Sequence, residues 1–297
     1  MRIFLAYIVV VLIWSTTPLG IKFSVSEGSV LLPLIARTVI GLLFTLVCLG
    51  FISERVSFGR LAMKTYMASV LGIVGSMALT YWSAQFIASG LIAVLWGLAP
   101  IMAGLFAMPI LKESFFGWRK LLGIAIAMSG LAVIFKHELA LSTESWKGIA
   151  GVLIATVLHG LSMVLVKRYG TRLSPLGTNA GSLLFSLPPL ALIFLFGAEQ
   201  KTLSMGQTVM LATIYLGFFG SFLAFVLHFY VIKKLSPMNA SMIMLITPVL
   251  ALALGHVLND EVISVTMIIG AALVLLGLLI FQFAHIARMP GAKPQTY

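Results

Sequence analysis

Charge is what this chain has least of. Only 9% of its 297 residues are Asp, Glu, Lys or Arg, against about a quarter in a soluble domain. With 61% hydrophobic residues, a water-facing exterior cannot be assembled, so the solvent for most of the surface has to be lipid. Acids are scarcest, eight against 19 basic residues, and none of them falls near the centre of an apolar run. A multidrug efflux pump for cations needs an acid at membrane depth to neutralise its cargo, so this shortage counts against that alternative. Cysteine occurs once, as Cys48 inside an apolar run, which excludes an intrachain disulfide and a cysteine-based metal site. No Gly-Lys-Ser/Thr phosphate loop and no His-Glu-x-x-His pair occurs, which argues against ATP hydrolysis and zinc proteolysis. A membrane-embedded enzyme or lipid-handling protein, the alternative from another class, needs carboxylates, histidines or cysteines converging at one depth, and these are missing. Neither enzymatic activity nor a cofactor or metal is expected.

What the chain does have is apolar runs. A helix needs about 20 apolar residues to cross the hydrocarbon core, and ten windows qualify: 3–22, 31–52, 66–86, 88–111, 118–136, 147–167, 174–197, 207–231, 238–258 and 262–285. The first resembles a signal peptide in its early Arg2, yet it continues through Trp14-Ser15-Thr16-Thr17-Pro18 without a small-x-small cleavage site, and it reads as a transmembrane helix. The net charge of +11 sits in short clusters between the runs, as membrane topology would place it, and not in basic patches interleaved with aromatics, so nucleic acid is not an expected partner. With the N-terminus inside, 14 of the 19 Lys and Arg residues fall on the inner side. Both termini are therefore expected in the cytoplasm, in a multi-pass protein of the cell inner membrane.

The chain also repeats itself. Pro100 precedes Glu113 by 13 residues, Pro248 precedes Glu261 by 13, and each pair is followed by glycines seven apart, Gly123 and Gly130 in one copy, Gly270 and Gly277 in the other. The two prolines are 148 positions apart, half the chain length. The fold class expected is an all-α membrane protein of ten transmembrane helices in two five-helix repeats, 1–140 and 141–297. Five is odd, so the second repeat enters the membrane inverted, which is a physical basis for alternating access.

At these residues the sequence resembles the drug/metabolite transporter superfamily and its EamA-type branch of amino-acid and metabolite exporters. The resemblance rests on Trp14…Pro18…Lys22, on Arg37 in the second helix, and on the Pro-x12-Glu and paired glycines of both halves. It implies export or exchange of small organic metabolites, with amino acids the specific expectation. The sixth helix departs from the first, with His159 in the place of Trp14 and Met163 in that of Pro18.

Several residues are candidates for the substrate path. Trp14 and Trp96 lie inside their helices, where an indole N–H needs a partner, and with Tyr81 and Tyr215 they suit the aromatic wall of a cavity for an amphiphilic solute. His159 stands mid-helix and is the one intramembrane group there with a near-neutral reference pKa, so it is the candidate for substrate or for protons; a neutral histidine bonded between helices is the plain alternative. His228 lies nearer a helix end and is a weaker case. Asn179 adds a neutral donor and acceptor. Arg37 either snorkels to the outer surface, the favoured reading, or clamps an anionic group. Pro100 and Pro248 mark kinks at matching depth, either gates or packing features. Glu113, which follows Lys112 and precedes Arg119 and Lys120, reads as a helix-end ion-pair residue that locks a closed face, with a proton carrier the alternative; Glu261 is its counterpart in the second half. The paired glycines read as close packing of the fifth and tenth helices, outside the cavity wall. The partners expected are the substrate, the lipid bilayer and, as a coupling ion, protons, in a monomer or homodimer.

Overall fold

A computed structural model describes residues 2–52, 54–112, 117–170, 172–197, 205–235 and 243–286. These residues form ten helices and no strand. They are α1 (Arg2–Ser24), α2 (Leu31–Phe51), α3 (Arg60–Ser83), α4 (Ser89–Leu111), α5 (Trp118–Leu141), α6 (Ser145–Gly170), α7 (Pro175–Phe196), α8 (Gln207–Lys234), α9 (Ile243–Asn259) and α10 (Val265–Ile286). Helices are what an apolar chain has to form in lipid, because each satisfies its backbone polar groups within its own segment. The first eight are long and apolar enough to cross a membrane, and α9 and α10 hold the shorter apolar stretches Ile246–Asn259 and Val265–Phe281.

The packing has the symmetry of the repeat. If α1–α5 and α6–α10 exchange places, the contact of α3 with α6 becomes that of α8 with α1. Likewise α4 on α6 becomes α9 on α1, and α2 on α8 becomes α7 on α3. Three pairs map onto themselves: α2 with α7, α4 with α9, and α5 with α10. The halves are thus interleaved.

The α5–α10 pair is held by the glycines. A Cβ on Gly123 would lie 2.5 Å from the Gly277 carbonyl oxygen and 2.7 Å from the Phe281 nitrogen; one on Gly130 would lie 2.6 Å from the Gly270 carbonyl oxygen. Backbone meets backbone at both levels, as expected of small-residue packing in lipid. His137 at the end of α5 and Ser264 before α10 close the pair with a 2.7 Å hydrogen bond.

Helix ends are satisfied by opposite charges from other helices, because the first N–H and last C=O groups of a helix have no partner inside it. Lys22 at the end of α1 donates to the Ala84 and Ile87 carbonyls past the end of α3, at 2.7 and 3.0 Å. Lys167 on α6 does the same for α8, donating to Ile232 at 2.6 Å and Leu235 at 3.0 Å. The acids serve helix starts. Glu261 accepts from the Ser89 and Gly90 amides at the start of α4, Glu27 from the Gly206 amide before α8, and Glu54 from the Ser174 hydroxyl that caps α7. Glu261, the counterpart of Glu113, is thus a cap across the two halves, and the ion pair among the described residues is Lys147 with Glu144. Glu113 lies outside the described residues. Lys112 and Asp260, 148 apart, both adopt the left-handed conformation, φ 57° and 49°, which turns the chain after α4 and after α9.

Two helices carry π turns, Leu71–Ser76 in α3 and Leu216–Leu223 in α8. π turns inside α-helices occur frequently at functional sites. Here the two are related by the repeat: the sequences are Leu71-Gly72-Ile73-Val74-Gly75-Ser76 and Leu216-Gly217-Phe218-Phe219-Gly220-Ser221.

Candidate functional site

Seven helices leave a cavity of about 60 Å³ between them, room for a handful of waters. It runs from the centre of the bundle toward the end where α1 and α3 stop and α4 starts. Its walls are Trp14, Thr17, Pro18 and Ile21 of α1, Arg37 of α2, Met77 and Thr80 of α3, Ile92, Ala93 and Trp96 of α4, His159 of α6, Gly220 and Phe225 of α8, and Thr247 of α9. Neither α5 nor α10 contributes, in agreement with their reading as scaffold. Among the described residues no acid is part of the walls.

Each wall has a local cause. Pro100 cannot donate to the Trp96 carbonyl four residues before it, and α4 is accordingly interrupted at Gly97–Leu98, between segments Ser89–Trp96 and Ala99–Leu111. Pro100 then sits in the first turn of the second segment, where a missing N–H costs nothing, and Trp96 ends the first segment facing the cavity. Pro248 does not repeat this: it lies inside α9, which is continuous over its described length. The matching kinks expected from the repeat are therefore unequal. Neither proline touches the cavity.

Trp14, Trp96 and His159 come together, and His228 joins them. The His159 ring lies 4.8 Å from Trp96 and 6.5 Å from Trp14, centre to centre, and His228 lies 4.6 Å from Trp14 and 6.5 Å from His159. Trp96 Nε1, His159 Nε2 and His228 Nδ1 are buried and have no hydrogen-bond partner among the described residues. Buried polar atoms are seldom left so, and these three lie in one cluster.

Arg37 corrects its favoured expectation. It does not snorkel: it is 2% exposed and points into the bundle. Its Nε donates to Ser221 Oγ at 2.9 Å, its Nη1 donates to the Tyr81 hydroxyl at 3.2 Å, and its Cζ sits 5.8 Å from the Tyr81 ring centre. Tyr81 and Asn179 lie behind this group and not on the cavity. Asn179 Nδ2 donates to the Ser221 carbonyl at 3.1 Å and to Thr45 Oγ1 at 2.9 Å, which fixes the α8 π turn against α2 and α7. Tyr215 is also off the wall, with its hydroxyl hydrogen-bonded to Thr16. Gly220 was not singled out in the sequence; the doubled Leu-Gly-x-x-Gly-Ser motif is the signal that would have found it.

The profile of the EamA-like transporter family matches this chain twice, over residues 1–136 and 146–283. The uncharacterized transporter YoaV of Bacillus subtilis is 27% identical over 97% of this chain and 99% of its own length. A probable terminal-alkyne amino-acid exporter of Streptantibioticus cattleyicolor is 27% identical over 76% of each chain. A crystal structure 20% identical in sequence superposes with a TM-score of 0.71 over 96% of this chain and 98% of that one, a likeness of fold alone.

Proposed function

The chain belongs to the EamA-like transporter family of the drug/metabolite transporter superfamily, and we propose that within it this protein is a secondary transporter that exports or exchanges amino acids or similar amphiphilic metabolites by alternating access. The observation that carries the reading is the cluster of unpartnered polar atoms, Trp96 Nε1 and His159 Nε2, on a cavity shared by both halves. A solute between the halves can be offered to either side as they exchange conformations. In this reading the halves 1–140 and 141–297 are the moving units, the protein lies in the inner membrane with both termini cytoplasmic, and Trp14, Trp96 and His159 meet the substrate directly. Tyr81, Asn179 and Tyr215 hold the walls behind them. Pro100 and Pro248 are the bending points of the two gates. The amino-acid exporter among the relatives supports the substrate class, and the absence of acids from the cavity wall argues against cationic drugs.

The test is flux of a labelled amino-acid panel into vesicles containing the purified protein, with and without a pH gradient. Saturable, protein-dependent flux of at least one class is expected. Flux driven by the gradient and lost in His159→Ala would make His159 the coupling residue, whereas indifference to the gradient would make the protein a facilitator. A panel extended to other small metabolites in which nothing moves would overturn the reading.

A further inference from the structure

Arg37 is a buried cation without a counter-charge. It is 2% exposed, and among the described residues no carboxylate lies within ion-pair distance of it. Glu27, Glu54 and Glu261 are occupied at helix starts along the rims of the bundle, and Glu144 pairs with Lys147. Charged groups buried at membrane depth are paired as a rule, or mark a substrate path. A guanidinium has five N–H donors; Arg37 spends one on Ser221 and one on Tyr81, which leaves three unused. Nη2, which carries two of the three, lies beside Gly220 on the cavity wall. A Cβ on Gly220 would lie 2.7 Å from Arg37 Nη2, and Gly220 and Arg37 both line the cavity wall. Glycine at this point of the π turn is what keeps Nη2 uncovered, while Ser221 and Tyr81 fix the plane of the group for two parallel hydrogen bonds to a carboxylate.

Among the described residues the cavity offers no comparable site to an ammonium group. The wall holds no acid, and its acceptors are neutral: the hydroxyls of Thr17, Thr80 and Thr247 and the imidazole of His159. The Thr17 and Thr80 hydroxyls donate to backbone carbonyls of their own helices, so what they offer an ammonium is a neutral oxygen lone pair and no counter-charge. The rest of the wall is apolar and aromatic, with Trp14, Trp96 and Phe225.

Resting on the transporter reading of this cavity, we infer that Arg37 is its carboxylate-binding group and that the site selects the carboxylate of its cargo and is indifferent to the amine: it takes monocarboxylates with an apolar or aromatic tail, amino acids and 2-hydroxy acids alike, and rejects the corresponding amines.

The experiment is equilibrium binding of labelled ligands to the purified full-length protein in detergent, with two matched sets: phenylalanine, 3-phenyllactate and 2-phenylethylamine, and leucine, 2-hydroxy-4-methylpentanoate and 3-methylbutylamine. In at least one set the hydroxy acid binds within about threefold of the amino acid, and the amine binds at least about tenfold more weakly than either. Arg37→Gln lowers carboxylate affinity by about tenfold or more and closes the gap to the amine. Gly220→Ala keeps the charge but crowds Nη2, and weakens the acids in the same order. Should Arg37→Gln fail to fold, the ligand comparison on the native protein together with Gly220→Ala decides. The inference is overturned if the amine binds as tightly as the acids, if folded Arg37→Gln retains carboxylate affinity, or if no carboxylate binds at millimolar concentration. Flux is read separately in vesicles: carboxylate binding without flux would remove the transporter reading and leave the carboxylate site standing.

Discussion

Leucine in place of Gly130 is expected to take the fold apart. A Cβ there would meet the Gly270 carbonyl oxygen at 2.6 Å and the Val274 nitrogen at 2.8 Å, and neither can rotate away as a flexible side-chain tip would. To admit leucine, α5 and α10 have to separate along the whole contact, losing the second glycine level at Gly123 and Gly277 with it. Overpacking of a core costs about 1–3 kcal/mol when side chains can give; here backbone must give, and a loss above about 3 kcal/mol is the expectation. The measurement is the thermal unfolding midpoint of the purified protein. Gly130→Leu and Gly123→Leu should each lower it by more than about 10 °C or yield no folded protein, whereas leucine at Gly50, where a Cβ would meet nothing within 4 Å, should leave it unchanged. Equal effects at the three positions would contradict the packing account.

The second large effect is expected at the cavity, where stability should be spared. Trp96→Phe keeps an aromatic ring and removes the indole N–H, which is buried and unpartnered in the described protein. His159→Ala removes the imidazole tilted against it, 4.8 Å away centre to centre. Since neither polar atom is bonded to protein, their loss should cost the fold little. If substrate completes these bonds, each loss should cost about 1.4 kcal/mol or more of binding, a tenfold rise in the substrate concentration for half-maximal flux. Vesicle flux measured alongside thermal midpoints separates the two. Unchanged flux in both variants would remove the cluster from the substrate path, and a fall in midpoint matching the fall in flux would make it structural.

The fold was legible because its signals are long and doubled. Ten apolar windows, the surplus of basic residues on one side and the 148-residue offset each depend on many residues, and the helices begin and end close to those windows. The glycine pairs were legible for the same reason, since repeated small residues at helical spacing have one obvious use in lipid. The site was legible only in part. Trp14, Trp96 and His159 could be picked out because a polar ring deep in an apolar helix needs a partner. Arg37 was misread: two turns from a helix end, snorkelling and inward burial look alike in sequence, and only the neighbours Ser221 and Tyr81, 184 and 44 positions away, decide between them. Tyr81, Asn179 and Tyr215 have the chemistry of wall residues, but helix rotation puts them behind the wall, and rotation is set by tertiary packing that no local pattern records. The role of Glu261 was not legible, because its partners include two backbone amides, which carry no mark in a sequence. The π turns were missed although the doubled Leu-Gly-x-x-Gly-Ser pattern announces them.

The central claim is that one cavity is offered to the two sides of the membrane in turn. The chain's one cysteine, Cys48, makes this directly measurable. On a Cys48→Ser background, cysteine is placed singly at Thr80 of α3 and at Thr247 of α9, both on the cavity wall, and an impermeant maleimide is applied from each side of sealed vesicles with and without a transported substrate. The account predicts that substrate changes the two accessibilities in opposite directions, one rising as the other falls, each from its own side. Labelling of both positions from the same side at once, unaltered by substrate, would describe a fixed pocket or a pore and contradict alternating access.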